Sequence, residues 1–497
     1  MEEKKSREVN VVSEDYPEII NIEEENHRVI VVSDLHLSGG QYSENGTYRA
    51  TENFFYDEEF ANFLKYLEKN QSEKPWKLII NGDFIDFIRL TECPTPKEYD
   101  YWKNILKGVG INMEIGDFDV SDRERDLGLK THEYKSVWKM DFIGNAHPKF
   151  FKALAQFVDK GNKLVIVKGN HDAEFYWDKV RLKLKRLILN QLNLNPLDPK
   201  AKKLSEHIEI CDKAYILENK IYIEHGHQYE EITSIDKPTL GQDKNDELTL
   251  PYGSFINRYL INKVELIAPF VDNIKPPTAY IDAIFKNYPV RSIKILFKYL
   301  PLTWEILKKQ YYWETMKLLI KTLKYALIPL TIIFLVFLPS IYSPFKVWLS
   351  SIPGIGRFLA DVKIGSIISL IFFALPFILP TVMRKDLVSP AIRKITQKHP
   401  GLTHVILGHF HSPDQRKYSN CFYYNSGTWT PVINLSEKLG ASICFCLILI
   451  DKKKDGGLQE PLLRQWNNCS ERLEKIVLIE TAAPKAHEKI VKKYEKI

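Results

Sequence analysis

Cysteine is scarce in this sequence, and no two cysteines stand at a metal-binding or redox spacing. Six cysteines are spread over 497 residues, and the closest pair, Cys444 and Cys446, lies within an apolar run. Such a run is typical of a buried strand. The absence of a Cys-x-x-Cys motif argues against a zinc ribbon or a thioredoxin-like site. We therefore expect reduced thiols in a protein that faces the cytosol.

Net charge and targeting signals are also weak. The 69 Lys and Arg residues exceed the 63 Asp and Glu residues by only six, so no nucleic-acid partner is expected. The amino-terminal residues carry charges of both signs and no apolar h-region, unlike a secretory signal peptide. We expect residues 1–27 to be a mobile leader and residues 481–497, rich in Lys and Glu, to be a charged tail.

What the sequence does contain is a series of apolar runs that each end at potential metal ligands. In chain order these runs deliver Asp34 and His36, Asp83 and Asp86, the segment Gly169-Asn170-His171-Asp172, His225 and His227, and finally His409 and His411. Open α/β sheets keep their sites at such strand ends. A turn or a helix cap would explain one such motif equally well. The ordered series instead indicates a metal site made of carboxylates, an amide and imidazoles.

The order of these motifs resembles that of the calcineurin-like metallophosphoesterase superfamily, whose pattern is Asp-x-His, Gly-Asp-x-x-Asp, Gly-Asn-His-Asp or Glu, His, and Gly-His-x-His. The resemblance covers residues 30–172, 208–229 and 403–450. It implies an α/β protein with a four-layer α-β-β-α sandwich. The catalytic core would then consist of residues 28–229 and 401–480.

The resemblance also implies a dinuclear centre for two divalent ions, with manganese as the expected metal and iron or zinc as alternatives. The first ion would be bound by Asp34, His36, Asp83 and His411. The second would be bound by Asp83, Asn170, His225 and His409. Asp83 would bridge the ions, because a carboxylate offers two oxygens. His227 is an alternative to His225 as the ligand.

The resemblance assigns catalytic roles as well. A metal-bound hydroxide would attack phosphorus, and His171 would either protonate the leaving oxygen or stabilise the phosphorane-like charge. Asp172 would orient the ring of His171, and Asp86 would hold one of the ligand histidines. The chain is thus expected to be a metal-dependent phosphoester hydrolase.

Periodicity predicts the surrounding elements. Apolar residues recur at helical spacing over residues 57–69, 148–160 and 178–194. Residues 86–150 are rich in aromatic and charged side chains, and their length is unusual for a simple crossover. They form either a cap over the site or peripheral helices with aromatic core faces.

A large and mostly helical insertion, residues 230–400, separates the fourth motif from the fifth. Within it, residues 326–342 and 364–382 lack charged side chains and approach the ~20 residues that cross a bilayer core. Their basic outer flanks place the catalytic core on the cytoplasmic side of the cell membrane by the positive-inside rule. Two buried helices, or a hairpin lying in the interface, are the alternatives to a transmembrane hairpin.

Three functions are consistent with these features. The basic, amphipathic stretch at residues 291–324 precedes the first apolar run, which favours a membrane lipid phosphate or lipid-linked pyrophosphate as substrate. A phosphodiesterase for cyclic or other soluble nucleotides is the alternative. A non-catalytic scaffold is the third, and the presence of His171 argues against it.

Overall fold

The strands and helices follow the apolar pattern of the sequence. The computed structural model describes residues 17–42, 44–71, 74–194, 198–230, 233–234, 247–248, 250–265, 274–275, 347–348, 351–353, 387–418, 421–434, 441–442, 445–453 and 456–476. The strands are β1 (Ile19–Ile22), β2 (Arg28–Val32), β3 (Trp76–Asn81), β4 (Lys163–Val167), β5 (Ile208–Cys211), β6 (Ala214–Leu217), β7 (Ile221–Glu224), β8 (Ile274–Lys275), β9 (His404–Leu407), β10 (Asp414–Tyr418), β11 (Cys421–Asn425), β12 (Val432–Asn434), β13 (Ala441–Ser442), β14 (Cys446–Ile450), β15 (Leu462–Asn467) and β16 (Arg472–Lys475).

The α-helices are α1 (Asp57–Lys69), α2 (Tyr99–Gly108), α3 (Asp122–Leu127), α4 (Glu133–Ala146), α5 (Pro148–Asp159), α6 (Asp178–Asn190), α7 (Pro199–Glu206), α8 (Tyr252–Ile256), α9 (Asn262–Glu265) and α10 (Val388–Lys398). A π-helix at Asn257–Ile261 joins α8 to α9. Short 3-10 helices occupy Pro96–Glu98, Ile115–Asp117, Ala173–Tyr176 and His227–Tyr229.

Two compact units can be separated along the chain. Residues 1–300 and 391–497 form the first unit, and residues 301–390 form the second. Both large sheets belong to the first unit.

The larger sheet has the strand order β16-β15-β14-β2-β3-β4-β5. Strands β2 to β5 are mutually parallel, whereas β14, β15 and β16 are antiparallel to their neighbours. Val32 pairs with Ile80, and Asn81 pairs with Val167. The carboxyl ends of β2, β3 and β4 therefore meet at one edge, which is where the first three motifs begin.

The second sheet has the order β1-β6-β7-β9-β11-β10. Its central strands β7, β9 and β11 are parallel, so their carboxyl ends also share one edge. Strands β6 and β7 form an antiparallel hairpin. Glu218 and Asn219, in the turn of this hairpin, have positive φ angles of 50° and 53°, as tight hairpin turns require.

Alternating side chains of the central strands divide the apolar core in two. In β2, Ile30 and Val32 join the core that contains the helices, whereas Val29 and Val31 join the core between the two sheets. Strands buried on both faces read as continuous apolar runs. On the outer side of the second sheet, the ring of Tyr222 lies 5.2 Å from that of His399, which follows α10. The predicted α/β class is confirmed: two mixed sheets are flanked by helices, consistent with the expected sandwich.

The aromatic side chains of residues 86–150 pack against one another within the core that contains the helices. Trp102 of α2 is fully buried. Its ring stacks on Phe118 at 4.4 Å and on Tyr134 at 5.5 Å. This stretch therefore contains peripheral helices with aromatic core faces, the second of the two predicted alternatives.

The beginning of the predicted insertion packs on this helical region. Arg89 and Glu265 form an ion pair that is almost completely buried. Asn262 donates a hydrogen bond to the Ile88 carbonyl at 2.9 Å, and Thr131 donates one to the Leu248 carbonyl at 3.0 Å. Residues 250–265 thus lie beside the loop that follows Asp86.

One boundary needs correction at the amino terminus. Residues 19–22, predicted as part of a mobile leader, form β1 and pair in parallel with β6. The physical reason is burial, since Ile20 and Ile22 pack against the core between the sheets.

No helix among the residues described above is long and apolar enough to span a membrane. The two apolar runs at residues 326–342 and 364–382 lie outside the described residues, and so do the basic stretch 291–324 and the tail 481–497.

Candidate metal centre

The backbone turns sharply at most of the predicted ligands. Positive φ angles occur at Asp34 (56°), His36 (52°), Asp83 (49°), His409 (68°) and His411 (53°). Non-glycine residues in this region cost about 1–3 kcal/mol each, and such strain concentrates at functional sites. The strain is consistent with loops whose conformation orients these side chains, rather than with the lowest-energy connection between strands.

The glycines of the motifs permit a close approach of neighbouring loops. A Cβ atom at Gly169 would lie 2.2 Å from Oδ1 of Asp83, and one at Gly82 would lie 2.3 Å from Cγ of His225. Gly82 also has a φ of +81°, which glycine adopts without strain. These positions therefore admit no larger residue without displacing a predicted ligand.

All four residues predicted for the first ion are brought together. Nε2 of His411 lies 3.2 Å from Oδ1 of Asp34, and Nε2 of His36 lies 3.7 Å from Oδ2 of Asp83. The Nε2 atoms of His36 and His411 are 3.1 Å apart. Two imidazole nitrogens and two carboxylates facing one small volume suit a divalent cation.

The second predicted group also converges. Ligand atoms of Asp83, His225 and His409 lie within 4.8 Å of one another, and Asp83 is common to both groups. Oδ1 of Asn170 and Nε2 of His225 are buried without a hydrogen-bond partner, although Nε2 is 3.2 Å from Oδ2 of Asp83. Buried lone pairs of this kind are costly unless a partner satisfies them. A cation would satisfy them, so these residues fit a metal ion.

His225, rather than His227, is the histidine in this group. Nδ1 of His225 is 2.9 Å from the Asn81 carbonyl, which directs Nε2 towards Asp83. The His227 ring lies 5.4 Å from the His225 ring, outside the described clusters of possible ligands. Burial and the neighbouring His225 hold the pKa of His227 well below its usual range.

One carboxylate oxygen connects the ligand set with the predicted catalytic histidine. Oδ2 of Asp86 lies 2.9 Å from Nδ1 of His36 and 2.8 Å from Nδ1 of His171. Asp86 therefore holds a predicted ligand histidine, and the same oxygen contacts the ring of His171.

The orienting role predicted for Asp172 is corrected by this geometry. The Asp172 carboxylate accepts hydrogen bonds from the backbone N–H groups of Gly169 at 2.5 Å and of Phe84 at 2.9 Å. Its carboxylate is turned towards the backbone and fastens the third motif to the second. The carboxylate on the His171 ring belongs to Asp86 instead.

Electrostatics favour an ionised Asp83. Burial alone would raise its pKa, but His225, His171 and His36 outweigh burial and hold the pKa well below its usual range. The Asp83 carboxylate is therefore negatively charged, as the binding of a cation requires. Burial, together with the charge of Asp83, raises the pKa of Asp172 to about 7.

Several contacts of the site lie outside the predicted residues. Oε2 of Glu230 is 2.7 Å from Nε2 of His409. Thr428 donates a hydrogen bond to the Asp34 carbonyl at 2.8 Å, and the Trp429 N–H donates to the same oxygen at 3.3 Å. Glu230 belongs to none of the motifs, so the sequence carried no signal for it.

A family comparison can now be set beside this geometry. Residues 27–252 match the family model of the calcineurin-like phosphoesterases. The comparison with curated proteins gave no match. The matched segment contains the first four motifs, and β9 returns His409 and His411 to the same site. The match and the buried Asp and His clusters together show that the chain carries a calcineurin-like metallophosphoesterase domain and is a metal-dependent phosphoesterase.

Proposed function

We propose that this enzyme hydrolyses a phosphoester or pyrophosphate bond of a membrane lipid, with two manganese ions in the metal centre. The observation that carries the hydrolytic part is the convergence of two ligand groups on Asp83. Two bound ions would supply an activated water molecule and would neutralise developing phosphate charge. The proposal that the substrate is a lipid rests on the insertion at residues 230–400.

His171 is the proton donor in this proposal. Its Nδ1 is engaged by Asp86, so Nε2 is the ring nitrogen that delivers a proton to the leaving oxygen. The negative charge of Asp86 favours the protonated ring. The backbone N–H of His171 donates to Oδ1 of Asp83 at 2.9 Å, which fixes the donor relative to the metal ligands.

The insertion supports a lipid substrate. In the chain, residues 326–382 lie between His227 and His409. The segment that connects the two apolar runs contains Val347, Trp348 and Ile352, whose side chains are 70%, 57% and 37% exposed. Exposed tryptophan next to apolar runs is typical of a membrane interface. The proposed arrangement is a membrane hairpin with the catalytic core on the cytoplasmic side.

Confinement to a membrane gives a physical reason for the substrate preference. A lipid substrate held in the same layer as the enzyme gains effective concentration. Basic residues near the surface add about 1 kcal/mol each towards anionic lipid. The preferred substrate is therefore an amphiphilic phosphoester rather than its water-soluble head group.

A substrate comparison tests this proposal. The manganese-loaded, full-length protein is assayed in vesicles with a panel of lipid phosphates and lipid pyrophosphates, their water-soluble head groups and bis-p-nitrophenyl phosphate. A variant lacking residues 330–381 is compared with it. We expect the deletion to lower lipid turnover and to spare the chromogenic diester. A preference of the intact enzyme for cyclic nucleotides, or an equal loss of both activities in a folded, metal-loaded variant, would overturn the lipid assignment.

A further inference from the structure

His409 is held by residues outside its own motif, both at its backbone and at its ring. Its backbone N–H donates to the Asp34 carboxylate, with distances of 3.0 and 3.2 Å to the two oxygens. Its Nε2 lies 2.7 Å from Oε2 of Glu230 and 3.2 Å from Oγ1 of Thr233. The His409 side chain is 9% exposed and that of Glu230 is 33% exposed. The contact is thus largely protected from water.

The contact with Glu230 determines which ring nitrogen of His409 carries a proton. A carboxylate only accepts hydrogen bonds, so Nε2 must be the donor. The Thr233 hydroxyl does not compete, because it has three acceptors of its own. These are the His227 carbonyl at 3.1 Å, Oε2 of Glu230 at 3.2 Å and the Glu230 carbonyl at 3.5 Å. With the proton on Nε2, the lone pair available for a metal ion is on Nδ1.

Two other histidines of the centre have their hydrogen-bond partner at Nδ1 instead of Nε2. Nδ1 of His36 lies 2.9 Å from Asp86, and Nδ1 of His225 lies 2.9 Å from the Asn81 carbonyl. In both rings Nε2 is left to face Asp83. A tautomer fixed by a neighbouring group decides which nitrogen of a histidine binds metal. His409 therefore needs an acceptor at Nε2, and Glu230 provides it.

We infer that Glu230 is a positioning residue that fixes His409 in the tautomer that binds the second metal ion through Nδ1. His409 converges with Asp83 and His225 and is not part of the group formed by Asp34, His36, Asp83 and His411. Loss of Glu230 should consequently affect one ion and not the other. The inference rests on the proposed metal centre. It adds to that centre Glu230, the first residue of the predicted insertion.

The effect should be measurable in metal affinity. Removing a group that orients a metal-binding histidine typically weakens metal binding by about 10–100-fold. Glu230→Ala removes the acceptor, whereas Glu230→Gln keeps an oxygen that can accept the Nε2 proton. The alanine variant should therefore lose about 10–100-fold in affinity for the second ion and the glutamine variant less than about tenfold. Affinity for the first ion should stay within about twofold in both.

The test uses zinc alone, so it does not depend on any substrate. Metal-free, full-length protein is titrated with Zn²⁺ in competition with a chromophoric chelator. The affinity for the first ion reports whether each variant is folded. Glu206→Ala, at the exposed end of α7, is the matched control and should bind both ions as the unmodified protein does.

A spectroscopic measurement distinguishes positioning from a general structural effect. Histidine ¹⁵N NMR of the zinc-loaded protein, with His409→Gln to assign the signal, should show zinc on Nδ1 and a proton on Nε2. Zinc on Nε2, or unchanged affinity for both ions in Glu230→Ala, would overturn the inference. If the unmodified protein binds fewer than two zinc ions, the metal centre itself is refuted. If it binds two but cleaves no phosphoester, only the proposed function fails.

Discussion

Replacement of Asp86 by asparagine should weaken metal binding and catalysis together. Oδ2 of Asp86 accepts from His36 and His171, and Oδ1 accepts from the Arg89 N–H at 3.1 Å. An amide offers one oxygen and one N–H₂ group. In Asp86→Asn, the amide can be oriented in two ways. In either orientation its N–H₂ group faces at least one N–H group that donates a hydrogen bond to Asp86 in the unmodified protein.

The magnitude follows from burial and charge. Asp86 is fully buried. Burial alone would raise its pKa, but His171 and His36 hold the pKa well below its usual range, so both hydrogen bonds are made to a charged group. An orienting group lost from His36 costs about 10–100-fold in first-ion affinity. The lost support for protonated His171 costs about 10²–10⁴ in kcat.

The assay compares three variants by zinc titration and by kcat for bis-p-nitrophenyl phosphate. Asp86→Asn should lower both quantities. His171→Ala should lower kcat and leave both ions bound, and Asp172→Asn should not show the selective loss of the first ion. If Asp86→Asn changed kcat but not first-ion affinity, the shared role of this carboxylate would be refuted.

Three further predictions concern packing, metal and pH. Gly169→Ala places a carbon 2.2 Å from Oδ1 of Asp83, so we expect loss of two-ion binding, whereas Gly116→Ala, with nothing within 4 Å, should bind both ions normally. Removing metal with a chelator should lower the melting temperature, since ligand at a thousandfold above Kd stabilises by about 4 kcal/mol; an unchanged temperature would contradict this. Burial alone would lower the pKa of His147, but Glu52 and Asp57 outweigh burial and raise it to about 10. The folded state therefore holds this proton more tightly, and the stabilisation is complete below the usual histidine pKa, about 6.5, and lost towards pH 10. Urea unfolding should show His147→Gln destabilised by a few kcal/mol at pH 6 and by less at pH 9.5, and a pH-independent difference would refute it.

Much of the fold was predictable because it depends on local patterns. The helical spacing over residues 57–69 predicted α1 with both ends correct. The apolar runs before each motif became buried strands. Polar residues at the ends of parallel strands must meet at one edge, so the grouping of Asp34 with Asp83 could be expected from the sequence alone.

The details that were not predicted depend on contacts between distant parts of the chain. Whether Asp86 or Asp172 meets the ring of His171 is decided by how two loops pack, because both carboxylates belong to the motifs. Glu230 reaches His409 across 179 positions of sequence, with no motif to mark it. Ile20 and Ile22 lie in a short run among charged residues, and only β6 and the core between the sheets make that run a strand.

The central claim is that one carboxylate, Asp83, joins two metal ions in a hydrolytic centre. The most direct test is metal content per chain and turnover of bis-p-nitrophenyl phosphate, measured on the same manganese-loaded samples of the unmodified protein and Asp83→Asn. We expect two ions and turnover in the unmodified protein, and fewer ions with no detectable turnover in the variant. Two ions and full turnover in Asp83→Asn would contradict the claim.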